Sequence, residues 1–393
     1  MNDPNRSLGR NVFALTAVSF LTDVSSEMIY PLLPAFLTVT LGATAGTLGA
    51  IEGAAETTAS LLKLASGWWS DRVHRRKPLV LFGYGIAGLV RPLVAAAQNA
   101  TQVLAVRLAD RFGKGIRNAP RDALIAESVD PSVRGRAFGF NRAGDNAGAV
   151  IGPLIAFALL QWLALSMRAV FWLAYVPGAL AFVTVLVFVK DQVRAPAPAR
   201  VAAPDSVRTP LPRSFWWYLG VVLVFTLGNS TDAFLLLRVG QLGVPLALVP
   251  VLWAGHNLVK SSTSTYAGGL SDRLGRVPLL IAGWIWYALV YFGFAFASKP
   301  WHAWALFGAY RLYFALTEGT ERALVADFVD ASRRGTAFGW FHLTVGIGSL
   351  PASLLFGLVW DRWGSHSAFI MGASLAAVAA IGIAALRRPR RAA

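Results

Sequence analysis

Two carboxylates, Asp23 and Glu27, stand four residues apart in an otherwise apolar run, with Ser25 and Ser26 between them and Pro31 and Pro34 just beyond. That spacing puts both acids on one face of a helix, and the prolines bend such a helix and free backbone carbonyls. Glu52 and Glu56 repeat the spacing in the next apolar run, and Asn229 and Asp232 are the polar pair of a later one. Ionisable groups are costly in hydrocarbon, so they face a cavity or a partner. A carboxylate placed there can take up a proton on one side and release it when a cation or a substrate approaches. Glu27 is the first candidate for that role, Asp23 the second and Asp232 the third. The competing reading is a permanent carboxylate–arginine pair that only joins helices.

The cations are arranged as unusually as the acids. Arg107, Arg111, Lys114 and Arg121 fall at i, i+4, i+7 and i+14, one stripe of a helix, with Asp110 and Arg117 flanking it. Such a row lines a cavity, pairs with acids such as Glu27, Glu52 and Asp145, or runs out to the cytoplasm at Arg121. Arg142 and Asp145 follow in the next run, then His256, Asn257 and Lys260, and later Arg311, Glu318, Glu321 and Arg322. Guanidinium groups bind carboxylate or phosphate through two hydrogen bonds, which suits an anionic or zwitterionic solute. The acids roughly balance the bases, so an internally paired cavity is the other reading. His256 either titrates near neutrality or packs as a hydrogen-bonding group.

What positions these groups follows from composition. The chain has 393 residues, 55% hydrophobic and only 14% charged. A soluble chain is about a quarter charged, so a water-soluble enzyme is excluded. Cysteine is absent, which removes thiolate nucleophiles, disulfides and Cys-ligated metals. Apolar runs of roughly 20 residues, enough to cross a bilayer as helix, recur at 12–40, 46–66, 78–98, 101–127, 137–160, 168–189, 214–240, 246–268, 277–297, 301–328, 336–359 and 366–386. The fold class expected is an all-α integral membrane protein of twelve transmembrane helices. Arg and Lys gather in alternate loops: Arg72, Arg75, Arg76 and Lys77; Arg134 and Arg136; Arg273 and Arg276; Arg333 and Arg334; and the basic tail. The opposite loops hold little beyond Arg168, Lys299 and Arg362. This asymmetry places both termini in the cytoplasm and accounts for most of the formal net charge of +16. Residues 190–213, rich in Pro, Ala and Arg, read as a cytoplasmic linker. They divide the chain into an N-terminal six-helix bundle, 1–189, and a C-terminal one, 214–393.

The halves repeat each other. Gly67, Ser70, Asp71, Arg72 and Arg75 match Gly268, Ser271, Asp272, Arg273 and Arg276, and Arg134, Gly135, Ala137, Phe138 and Gly139 match Arg334, Gly335, Ala337, Phe338 and Gly339, at offsets of 201 and 200 residues. Parallel repeats around a midplane site are the plan of rocking transporters. The loop carrying Gly67, Asp71, Arg72 and Arg75 resembles the signature loop of the major facilitator superfamily, repeated more weakly from Gly268 to Arg276 with Asp272 and Arg273. The resemblance implies a twelve-helix fold of two pseudo-symmetric bundles and a conformational latch on the cytoplasmic side at Gly67, Asp71, Arg72, Arg75, Asp272 and Arg273. His74 stands where the family usually has Gly. Gly139, Gly148 and Gly152-Pro153 resemble the glycine–proline pattern of the proton-driven exporters of that superfamily, with Ala156 replacing a final glycine. Small residues so spaced also make an ordinary groove for a facing helix. Arg111 with Lys114 and Gly115 is similar to a motif in which those exporters carry an arginine implicated in proton coupling, Lys114 replacing a glutamine.

No P-loop, nucleophile elbow or metal-ligand spacing occurs, so no metal or cofactor is expected and the energy source is the proton gradient. Basic runs at membrane edges, without aromatic interleaving, do not suit nucleic acid. The expected partners are membrane lipid, a small-molecule solute and protons, with a monomeric chain. The function expected is proton-coupled antiport by alternating access, exporting a small anionic, zwitterionic or amphipathic solute across the bacterial inner membrane. Proton-coupled uptake or lysolipid flipping by the same fold is the first alternative. A membrane-embedded enzyme or scaffold is the second.

Overall fold

A computed structural model describes residues 8–70, 75–191, 210–259, 274–330 and 333–386. Among the described residues there is no strand. The cause is the solvent: hydrocarbon satisfies no backbone N–H or C=O, and a helix satisfies its own. Helix α1 spans Arg10–Ile29 and its path continues to Thr40. The continuation is irregular, with a tight turn at Tyr30–Leu32 and a wide one at Phe36–Thr40, because Pro31 and Pro34 cannot donate to the turn before them. Then come α2 (Ala45–Ser70), α3 (Lys77–Val90, tightened into a further turn at Arg91–Ala96), α4 (Ala100–Glu127), α5 (Arg134–Gln161) and α6 (Met167–Phe188).

The second half begins with α7 (Arg213–Gly228) and α8 (Asp232–Gln241), one span interrupted at residues 229–231. It continues with α9 (Leu246–Val259), α10 (Arg276–Phe296), α11 (Pro300–Asp327) and α12 (Arg334–Ala384). The last is two spans joined at Gly364, whose φ of 84° breaks the helical path. Among the described residues, seven helical stretches are long and apolar enough to cross a membrane. The charged α2, α4 and α11, with 26, 28 and 28 residues, have the length without the apolarity. With α12 counted twice, the described part of every predicted span lies on a helix, and the fold is the all-α, twelve-span duplicated one. Trp216, Trp217, Trp301 and Trp304 are exposed at the starts of α7 and α11, as interfacial belt residues are.

By their contacts the described helices gather into two compact units. The first holds the chain up to Ile29 together with Thr58–Ala97 and Gln102–Pro210. In it α1 packs along α5 and α6, and α3 along α6, around buried Val12, Leu15, Val18, Val80, Tyr84, Leu124 and Ile125. The start of the linker is tied to this unit: Asn11 accepts the Lys190 N–H at 2.8 Å and donates to its carbonyl at 2.9 Å. Asp191 accepts the backbone N–H groups of Arg76 and Lys77 at the head of α3. Linker residues 192–209 lie outside the described residues.

The second unit holds Tyr30–Thr57, Gln98–Thr101 and Leu211–Ala393. In it α12 packs against α7 and α10, and the first half of α2 joins α12. Thr57 donates its hydroxyl to the Gly346 carbonyl at 2.8 Å, and Asp361 accepts the N–H groups of Ala45 and Gly46. The duplication is visible in space as well. Arg76 pairs with Glu127 in the first unit, and Arg276 pairs with Asp327 in the second, both partners 200 residues further on.

Candidate functional site

In the first unit the two acids of α1 are set in place by glycines of α5. A Cβ at Gly148 would lie 3.0 Å from the Cβ of Asp23 and 2.5 Å from the carbonyl oxygen of Phe20; one at Gly152 would lie 3.1 Å from the Cβ of Glu27 and 2.6 Å from the Val24 carbonyl oxygen. The glycine pattern therefore lets α1 and α5 touch along the very turns that carry the carboxylates. Gly139, at the start of the pattern, has nothing within 4 Å of such a Cβ, and Pro153 is buried in α5. Asp23 and Glu27 are both half-buried. The charges acting on Asp23 come from Asp145 and Glu27, of its own sign, and from Lys114 and Arg117, of opposite sign.

Beside them lies a buried ion pair. Arg91, at the end of α3, donates from Nε and Nη2 to one oxygen of Asp110 on α4, at 3.0 and 2.7 Å, and from Nη1 to the Thr22 carbonyl of α1 at 3.0 Å. Arg111 approaches the other Asp110 oxygen at 3.7 Å. Asp110 is thus the centre of charge on α4, where Arg107 and Arg117 are also buried. Arg117 stacks over the Tyr84 ring at 4.4 Å and reaches the Gly83 carbonyl. Asp145, one of the acids expected to meet the α4 stripe, lies 3.9 Å from Arg121, which also bonds Ser19 of α1 and Asp122. Lys114 is half-buried and Arg142 is exposed.

The second unit is built from rings where the first uses charges. At an offset of 200, Tyr291 and Tyr310 stand where the first half has Arg91 and Asp110. The interruption between α7 and α8 leaves backbone groups without helical partners, and hydroxyls from α10 converge on it. Tyr287 donates to the Gly228 carbonyl at 3.1 Å, and Tyr291 shares a hydrogen bond of 3.0 Å with Ser230. Asn229 donates to the Tyr313 oxygen, Thr231 caps α8 by accepting the Ala233 N–H, and Tyr310 donates to Asp232 at 2.8 Å. His256 on α9 lies 3.9 Å from the other Asp232 oxygen, and Arg311 donates to the His256 carbonyl and to Asn257. Glu52 is buried on α2, Glu56 exposed, and Glu318 pairs with Arg322 one turn on.

The structure therefore brings together Asp23, Glu27, Gly148, Gly152, Lys114, Arg117 and Asp145 in one unit, and Asn229, Asp232, His256 and Arg311 in the other. Arg75 is exposed at the head of α3. The surroundings of Gly67, and Asp71, Arg72, Lys260, Asp272 and Arg273, lie outside the described residues. Two features escaped the sequence reading. Arg91 was passed over although an arginine within an apolar span is a signal in its own right. The tyrosines carried none, because hydropathy reads them as apolar. Among the described residues no group of three or more His, Cys, Asp or Glu is placed to hold a metal ion.

A duplicated fold of spanning helices with ionisable groups buried within its spans is that of a secondary transporter. Residues 15–259 and 240–393 match the Major Facilitator Superfamily, and the chain belongs to that family. It is 32% identical over 386 residues to an uncharacterized MFS-type transporter of Methanocaldococcus jannaschii, covering 97% of this chain and 96% of that one. It is 25% identical over 384 residues to the multidrug resistance protein MdtG of Enterobacter lignolyticus, covering 93% and 89%. Among solved structures it resembles the nucleoside transporter NupG, with a TM-score of 0.80 over 96% of this chain and all of that one, at 13% identity. The protein is a multi-pass membrane transporter of this superfamily.

Proposed function

We propose that this protein is a proton-coupled antiporter that exports a small organic solute by alternating access. The observation that carries the reading is the seating of Asp23 and Glu27 on the Gly148–Gly152 face of α5, with Lys114, Arg117 and Asp145 acting on Asp23. Carboxylates inside a span are costly unless they serve a pathway or a partner. Here acids and bases of one unit lie close enough for a proton to shift the balance between them. Glu27 carries the proton, with Asp23 as its near partner. Arg107, Arg111 and Arg117 tune the acids or bind an anionic, zwitterionic or amphipathic solute. The proton gradient is the energy source, with no other cofactor. The chain works as a monomer in the bacterial inner membrane with both termini in the cytoplasm, as the loop arginines direct. Likeness to a protein named for multidrug resistance supports export.

The test is reconstitution into proteoliposomes holding a fluorescent pH indicator, challenged with aromatic carboxylates, zwitterionic amphiphiles and lysolipids. At least one class drives proton movement opposite to its own, and a reversed pH gradient reverses its accumulation. Glu27→Gln abolishes proton-driven movement and keeps solute counterflow. Unchanged pH dependence in Glu27→Gln removes Glu27 from the coupling step, and co-directional movement makes the protein a symporter.

A further inference from the structure

The second unit contains an acid, a histidine and a tyrosine that the reading above leaves without a task. Asp232 is the first residue of α8, where a negative charge meets the positive end of the helix dipole. One of its oxygens accepts the Tyr310 hydroxyl at 2.8 Å, and the other lies 3.9 Å from His256 Nε2. The His256 side chain is fully buried, whereas that of Asp232 is 22% exposed, so the acid is the more accessible member of the pair. The imidazole stacks with two rings: its centroid is 4.7 Å from Trp253 and 5.8 Å from Tyr310, both near parallel.

We propose that Asp232, His256 and Tyr310 form a second proton-binding unit, separate from Asp23 and Glu27. The reading rests on proton coupling as the function and adds a site to it. A proton enters at the Asp232 oxygen that faces His256 and passes to His256 Nε2, giving an imidazolium that faces the carboxylate. Tyr310 keeps its hydrogen bond to the other oxygen throughout, so no bond to it is made or broken. The group goes from one net negative charge to none, and release retraces the same path. Charged and titratable groups face the pair from the elements packed against it. From α8 comes Asp232. From α11 come Tyr310, Tyr313, which accepts from Asn229, and Arg311, held on the backbone carbonyl of His256 and on Asn257. From α10 come Tyr287 and Tyr291, whose rings lie 6.0 and 6.2 Å from Tyr310. Tyr30 covers Trp253 at 5.0 Å.

The break between α7 and α8 is what makes the arrangement possible. A continuous helix would place Asp232 mid-helix, without the dipole of a helix start behind it. Tyr287 and Tyr291 bond residues of the break, and Tyr310 beside them holds the carboxylate next to the imidazole. Discontinuous helices in transporters put such groups at the site of coupling.

The full-length protein, labelled with 15N-histidine and held in nanodiscs, gives a direct readout. The His256 signal, identified by its loss in His256→Gln, moves from the neutral to the charged form as pH falls from about 8 to about 5. In Asp232→Asn that movement is lost from the same range, while Tyr310→Phe, which removes only the hydroxyl, keeps it with an altered midpoint. A His256 signal that stays neutral across the range overturns the proposal, as does one that titrates identically in Asp232→Asn. In proteoliposomes His256→Gln loses one proton per solute while exchange continues, and an unchanged ratio overturns the coupling role. Failure here with Glu27→Gln still uncoupling would sink this site alone. Titration of His256 in a protein that moves no protons would sink the coupling function and leave the site.

Discussion

The carboxylate of Asp361 closes the N-terminus of the helix that contains Gly46: it accepts the Ala45 N–H at 2.9 Å on one oxygen and the Gly46 N–H at 2.7 Å on the other. Two of the donors left over at a helix start are thus satisfied from α12, more than 300 residues along the chain. The fit is close, since a Cβ on Gly46 would meet that same carboxylate at 2.7 Å and one on Gly357 would meet the Ala45 carbonyl at 2.6 Å.

Asp361→Ala removes both bonds and the charge opposite the dipole. Losing a cap of this kind costs about 1 kcal/mol. The expected result is faster hydrogen exchange in the peptide holding Ala45 and Gly46, with exchange in α5 unchanged, and a lower melting temperature. Asp361→Asn keeps one acceptor and falls between. Equal exchange in all three proteins would show that the bonds hold nothing.

The glycines of α5 separate by position. Gly152→Val drives a side chain into the Val24 carbonyl and the Cβ of Glu27, and overpacking of this kind costs about 1–3 kcal/mol or more. Gly139→Ala meets nothing within 4 Å and gains about 0.5–1 kcal/mol from the better helix former. Thermal melts of the two variants should move in opposite directions. A destabilised Gly139→Ala would mean that another surface lies against that turn.

These glycines show how much of the arrangement is legible in sequence. The bilayer imposes length and apolarity on every span, so the helices and the duplication can be read from the letters. The spacing of Asp23 and Glu27, and of Gly148 and Gly152, is local, and a helix turns local spacing into a face. What has no local spacing stays hidden. Arg91 meets Asp110 across a turn between two helices, and each alone looks like one more intramembrane charge. Asp361 and Ala45 are linked only once the chain is folded. The tyrosines gain their meaning from the break at residues 229–231, which hydropathy runs straight through. The latch residues Asp71 and Arg72 were the most recognisable in sequence, and they lie outside the described residues.

The break itself can be probed at its mildest point. Tyr287→Phe keeps the ring in the cluster and removes only the hydroxyl that bonds the Gly228 carbonyl and Asn229. A buried acceptor left with one bond fewer costs about 1 kcal/mol. Local exchange at residues 229–233 should rise, with little change elsewhere in α7.

Arg91 and Asp110 give the sharpest test of what the buried charges are for. Both are buried, at 6% and 3% exposure, and three guanidinium hydrogen bonds are made. Removing one partner strands the other charge away from water, so Arg91→Met and Asp110→Leu should each cost about 3–5 kcal/mol. Removing both exchanges an ion pair for apolar packing, which is often neutral or stabilising. The double variant should therefore melt near the wild-type temperature, well above either single variant. Transport then decides the role of the pair. If Arg91 and Asp110 only join α3 to α4, the double variant transports normally. If the pair sets the charge balance around Asp23 and Glu27, the double variant folds yet shows a displaced pH profile for proton-driven movement. A double variant as unstable as the singles would show that the charges hold more than each other, with Arg111 and the Thr22 carbonyl on α1 as the remaining partners.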